Sequence, residues 1–250
     1  MSFRKTVFSL FSFCLLATDY GAMAQSRAHL DFELTSEAAL STGEYTPYML
    51  TANHHDVLSP RANTGYVSAG LQGDYQLNDQ VSFNGGLTAM ASVHSNHSVY
   101  LQELYFQAVY KKIYLELGSR QQSSPVVNEA LSSGDLIFSG NAKPIPSLHG
   151  ATVGFVTLPY LHEWIESYAD FGYGILLDDN WTKDRFADYH ASHNGSFFTT
   201  DITYHHKELY LRSNSKKRFF ATIGMQHAVF FGGIKQSYES GKEVISGKSV

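Results

Sequence analysis

Residues 65–77, GYVSAGLQGDYQL, alternate between two kinds of side chain. Val67, Ala69, Leu71, Gly73, Tyr75 and Leu77 are apolar, small or aromatic, whereas Ser68, Gln72, Asp74 and Gln76 are polar. A period of two predicts a strand with one oily face and one wet face. HLDFELT (29–35) repeats the pattern, and so does VSFNGGLTAMASVH after a turn at Asn78-Asp79. SVYLQELYFQAVY (98–110) continues it with a phase slip near Gln102-Glu103, which predicts a bulge. IYLELGSR returns across Lys111-Lys112. Alternation resumes in ATVGFVTL, in WIESYADFGYGILL and in the pair FFTTDITYHHKELYLRS and RFFATIGMQHAVFFGG, which turns at NSKK. The whole reads as nine or ten antiparallel strands with almost no helix.

Two stretches interrupt the alternation. Residues 123–149 are rich in Ser, Gly, Asn and Pro, and Pro144 and Pro146 cannot sit in a central strand. They read as a long ordered loop with one helical turn at VVNEAL. DDNWTKDRFADYHASHNGS is a second polar loop.

Which face is the core is the question that decides the class. The early strands, at about 13 residues, exceed the usual five or six of soluble sheets and the 9–11 that cross a bilayer at a tilt. Tight turns join neighbours, and Tyr66, Tyr75, Tyr100, Tyr105, Tyr110 and Tyr114 gather toward strand ends, as in interfacial aromatic girdles. The pattern favours an antiparallel outer-membrane β-barrel with its oily face outward. It leaves open an exported sandwich or a lipocalin-like barrel.

Composition sharpens this picture. Of 250 residues 43% are hydrophobic and only 16% charged, with 16 Tyr and 17 Phe. Mean hydropathy is −0.20, as expected where alternating faces cancel. Arg4 and Lys5, the short apolar run VFSLFSFCLLA and AMA at 22–24 describe a cleavable export signal over residues 1–24. Residues 25–250 then form the β-domain. The only cysteine, Cys14, falls inside the signal, so no disulfide or zinc thiolate is expected in the mature chain. A formal net charge of −5 argues against a nucleic-acid partner.

Chemistry-bearing residues were weighed by spacing. Twelve histidines include His54-His55, His94 with His97, His190 with His193, and His205-His206. Adjacent histidines on a strand point to opposite faces and no His-Glu-x-x-His occurs, so neither a metal nor another cofactor is assigned. No Gly-x-Ser-x-Gly elbow marks a hydrolase, and the chain reads as a non-enzyme. Sugar binding suits the residues better, because Tyr and Trp offer flat faces while Asn, Asp and Arg hydrogen-bond hydroxyls. Tyr45, Tyr48 and Asn53 supply these groups in one stretch, and Asp179, Asn180, Trp181 and Arg185 in another.

Five segments carry a resemblance. GEYTPYMLTAN (43–53), LSSGDLIFSGNAKPIP (131–146), DDNW (178–181), YHHKELYLR (204–212) and FFGG (230–233) resemble, in the same order, segments of the Wzi-type capsule assembly family in its Bacteroidetes-like branch. Within the second segment Leu131, Ser133, Gly134 and Ser139, then Gly140, Asn141, Pro144 and Pro146, read as a structural loop motif. The chain departs at Lys143, where Arg is more frequent and a bidentate fork is lost, and at Met49, where an aromatic is common. The resemblance implies an outer-membrane barrel of about 18 strands with a small periplasmic helical part. It implies a lectin-like role in attaching capsular polysaccharide at the cell surface, with outer-membrane lipid as the second partner. This chain would span about the N-terminal half of such a protein, an incomplete barrel. A porin-like channel is the alternative, and an envelope lipid or glycan hydrolase the next.

Overall fold

A computed structural model describes residues 11–15, 27–95, 97–128, 130–159, 164–177, 197–213, 218–239 and 242–248. The architecture is all-β and antiparallel, and the described residues contain only one short 3-10 turn, Tyr48–Leu50 after Pro47. The chain divides into two compact units, residues 1–109 with 119–144 and residues 110–118 with 145–250.

In the first unit β1 (Phe11–Leu15), β2 (Ala28–Ala39), β3 (Thr64–Asn78), β4 (Val81–Val93) and β5 (Val99–Tyr110) lie side by side in chain order. The β3–β4 register runs from Gly65 opposite Val93 to Asn78 opposite Val81, with a shift between Gln76 and Asn78. Asn78 makes that turn. Its side-chain oxygen accepts the backbone N–H groups of Gln80 at 2.9 Å and Val81 at 3.0 Å.

The second unit holds β6 (Ile113–Ser119), β7 (Ser147–Thr152), β9 (Ile165–Ile175), β11 (Thr203–Ser213) and β12 (Thr222–Phe231) as neighbours in that order, with β8 (Val156–Thr157) on β9. A separate sheet joins β10 (Phe197–Thr200), β13 (Ile234–Glu239) and β14 (Lys242–Lys248). Among the described residues no strand pairing closes either run into a ring.

The faces are inverted relative to a soluble sheet. On β6, Leu115 is 56% exposed and its neighbour Glu116 3%. On β11, Leu209 is 48% exposed and Glu208 6%. Phe171 and Tyr173 of β9 point out while Tyr168 and Asp170 are buried. In the first unit Leu30, Phe32, Val67 and Leu71 are exposed, and Met90, Ser92, Gln102 and Gln107 are buried. Lys207 interrupts the outward face of β11, its ammonium 5.9 Å from the centre of the Phe171 ring. The phase slip expected in β5 is present: Gln102 and Glu103 both turn inward before alternation resumes with Tyr105 and Gln107 inside.

Three expectations are corrected. The described residues form fourteen strands, not nine or ten: β8 and β10 are separate short pieces of stretches read as single strands, β1 lies in the apolar start, and β13 and β14 follow FFGG. β1 lies within residues 1–24 and pairs antiparallel with β2, Phe11 opposite Ala38. The long loop runs over 120–146, since β7 starts at Ser147 directly after the last proline. The described residues of VVNEAL form no helical turn. Two separate turns close instead, Val127 N–H to the Ser124 carbonyl and Leu131 N–H to the Asn128 carbonyl, and the Asn128 side chain takes the Ala130 N–H.

Small residues make room on the inward face. The Tyr105 ring lies across Gly86, where a Cβ would come within 2.8 Å of Cζ, and the Arg120 guanidinium sits 4.5 Å over the same ring. A Cβ at Gly70 meets only ordinary contacts, the nearest at 3.6 Å. Gly86→Val is therefore expected to cost about 1–3 kcal/mol through overpacking. Gly70→Ala should change little by comparison. Urea unfolding of the two variants side by side measures the difference.

Candidate functional site

The first unit carries a cavity of about 540 Å³ bounded by β2–β5 and by the connection between β2 and β3. Asp31, Glu33, Tyr66, Thr88, Gln102 and Glu103 are among its lining side chains. All of them occupy inward strand positions, so the same alternation that turns leucines outward delivers carboxylates and hydroxyls here.

Residues 40–63 fold over this space and are tied to the wall. His54 Nε2 lies 3.3 Å from Glu37 Oε1, and the Tyr66 hydroxyl donates to the other Glu37 oxygen at 3.2 Å. Gln102 Nε2 donates to the His55 carbonyl at 2.7 Å, and the His55 ring meets the Gln121 amide. Glu103 accepts from the Gln121 backbone at 2.8 Å and from the Thr88 hydroxyl at 3.2 Å. The turn itself needs unusual backbone: Asn53, His55 and Asp56 have φ of 59°, 49° and 64°, the left-handed region that Asn and Asp tolerate best.

The two longest segments of the family resemblance meet one another. His55 N–H donates to the Gly140 carbonyl at 2.9 Å, His54 N–H to Asn141 Oδ1 at 3.1 Å, and Asn53 Nδ2 to the Ser132 carbonyl at 2.9 Å. Gly140 is required for this approach, because a Cβ there would run into the Asn53 side chain. The 131–141 segment is a tight loop of its own. Gly134 adopts φ 131°, Asp135 Oδ1 takes the N–H groups of Ile137 and Phe138 at 2.7 Å, and Gly140 N–H closes on the Ser133 carbonyl at 2.6 Å.

Beside it Lys143 stands 4.8 Å over the Tyr100 ring. Burial pulls its ammonium below the ordinary value, and the charge of Asp56 offsets part of that. Burial likewise pushes the Asp56 carboxyl up, and Lys143 holds back part of the rise.

Three of the expected sugar-contact residues fall within the described residues. Tyr45 and Tyr48 stand exposed on the 40–63 connection, Tyr48 at 64%. Asn53 lines the cavity, and its amide nitrogen donates to the Ser132 carbonyl of the neighbouring loop. Asp179, Asn180, Trp181 and Arg185 lie outside the described residues. Among the structural-motif positions Leu131 is exposed, Pro144 is buried, and the Ser139 hydroxyl caps the Asn141 N–H at 3.2 Å. The Pro146 carbonyl accepts from Ile175 in the second unit at 3.1 Å.

The second unit contains a buried polar cluster that residue spacing did not reveal. Asp170 accepts from His149 Nε2 and His206 Nε2, each at 2.7 Å, and from the Tyr168 hydroxyl at 2.8 Å. Of its members only His206 belonged to a noted pair, and its partner there, His205, faces the other way. The signal lay in register: residues at equal distances from the β9–β11 connection land opposite one another.

Comparison of the chain with known protein families, curated proteins and solved structures returns no match. The site is therefore read from its geometry and from the motifs it contains.

Asn141→Ala removes the acceptor that fixes His54 N–H, a loss worth about 1–3 kcal/mol for a part-buried donor. Hydrogen exchange should quicken at residues 53–56 while β3 and β4 keep their protection.

Proposed function

We propose that the chain forms wall and outer loops of an outer-membrane β-barrel of the capsule-assembly type, which binds capsular polysaccharide and attaches it at the cell surface without turning it over. The inverted sheet carries this reading. Exposed leucines and phenylalanines alternating with buried carboxylates and amides suit a wall between hydrocarbon and an enclosed polar interior. A water-soluble sandwich would turn the same residues the other way.

Orientation follows from connection lengths. In the first unit a tight turn joins β3 to β4, while 24 residues separate β2 from β3 at the opposite end, counted from 40 to 63. Outer-membrane barrels keep short turns in the periplasm and long loops outside. The cavity beneath residues 40–63 is then open to the surface. At 540 Å³ it falls within the roughly 300–1,000 Å³ of ordinary ligand sites. Its acceptors and the exposed Tyr45 and Tyr48 nearby offer the hydrogen-bonding and stacking groups a glycan needs.

A passive channel is the second reading, favoured by the polar inward faces. The ties from His54 and His55 to Glu37, Gln102 and Gln121 argue for an occluded interior instead. Deleting the gene from an encapsulated host is expected to release capsule into the medium while total synthesis continues, measured by polysaccharide assay of cells and supernatant. Unchanged retention on the cells would refute the attachment role.

A further inference from the structure

The His149–Asp170–His206 cluster is built by register. His149 of β7 and His206 of β11 both stand opposite Gly172 of β9. Asp170 lies two residues along β9 on the same inward face. Gly172 has no Cβ, and one placed there would strike the His206 ring. Both imidazoles can therefore lean across the glycine and aim Nε2 at one carboxylate.

Three further features make this a formed site. The ligand atoms of His149, Asp170 and His206 all lie within 4.8 Å of one another, and each residue is at most 9% exposed. Two tyrosines fix the ring planes: Tyr114 meets His149 edge-on at 5.4 Å, and Tyr204 stacks on His206 at 5.5 Å. Behind His149, Glu116 Oε1 stands 4.0 Å from Nδ1, the nitrogen that faces away from Asp170. An outer carboxylate at that nitrogen is how metal-binding histidines are held in the tautomer that offers the other nitrogen's lone pair.

We propose that His149, Asp170 and His206 bind one divalent first-row transition-metal ion of the zinc class. Two imidazoles and a carboxylate match that class, whereas calcium and magnesium call for oxygen ligands throughout. Bonds of about 2.0–2.2 Å at tetrahedral angles set ligand atoms roughly 3.3–3.6 Å apart, so the present 2.7 Å contacts open by less than about 1 Å. The ion takes the place of the two imidazole N–H donors to Asp170, and each ring carries its remaining proton on Nδ1. Tyr168 keeps its bond to Oδ2. Three adjacent strands, β7, β9 and β11, are then cross-linked at one point. This inference is independent of what the loops of the first unit bind.

The test uses the full chain with Cys14→Ser, folded into detergent micelles, stripped with chelator and offered Zn²⁺. After gel filtration about one zinc per chain should remain. Bound Co²⁺ should show the intense ligand-field bands of a low-coordinate histidine site. His149→Gln and His206→Gln keep an N–H donor for Asp170 but remove a ligand, so they should retain at least tenfold less zinc at unchanged β circular dichroism. His54→Gln should match the parent. Parent protein that retains no zinc, Gln variants that retain as much as the parent, or Co²⁺ that shows only the weak bands of the aquo ion would each overturn the proposal.

Discussion

An enclosed polar group must find a partner, and this constraint organises the protein. Alternation sends every second side chain inward, and in these strands the inward ones are Glu, Asp, His, Gln and Tyr as often as apolar residues. A buried hydrogen bond adds only about 1 kcal/mol net, but stranding one of its members costs more. Asp170, with three donors at 2.7–2.8 Å, is the clearest case. Such pairing also specifies register. A one-residue slip between β9 and β11 would turn Asp170 outward and Phe171 in, losing every contact of the cluster at once.

The same rule explains why the loops are ordered. Residues 53–56 hold a backbone that L-residues seldom adopt, and 131–141 fold on an Asp and two glycines. Neither segment has a core of its own. Residues 53–55 donate to the second segment, at Gly140, Asn141 and Ser132, and Gln102 donates to the His55 carbonyl from the strand wall. For the proposed glycan binding, a surface fixed in this way would pay less ordering entropy.

Much of this was legible in the residues. Period-two alternation located the long strands and predicted the phase slip at Gln102-Glu103, because side-chain direction in a strand follows position alone. Gly and Pro marked a loop at 123–149, which spans 120–146 in the structure. What stayed hidden depends on contacts between distant segments. His149, Asp170 and His206 are separated by 21 and 36 positions, and only strand pairing puts them together. The contact of Asn53 with Ser132 spans 79 positions and is likewise invisible in spacing. VVNEAL has a helical composition, but an isolated turn pays the nucleation cost with nothing to pack against, and Asn128 captures the local donors first.

The direction of the apolar faces is the claim on which the functional reading rests. With Cys14→Ser the chain has no cysteine, so single nitroxide labels can be placed at Leu209 and Phe171, which point out, and at Tyr210, which points in. Reconstituted in lipid vesicles, the labels at 209 and 171 should collide readily with dissolved oxygen and poorly with a water-soluble nickel chelate, while the label at 210 should be shielded from both. Strong collision with the chelate at 209 and 171 would place those side chains in water and contradict the account.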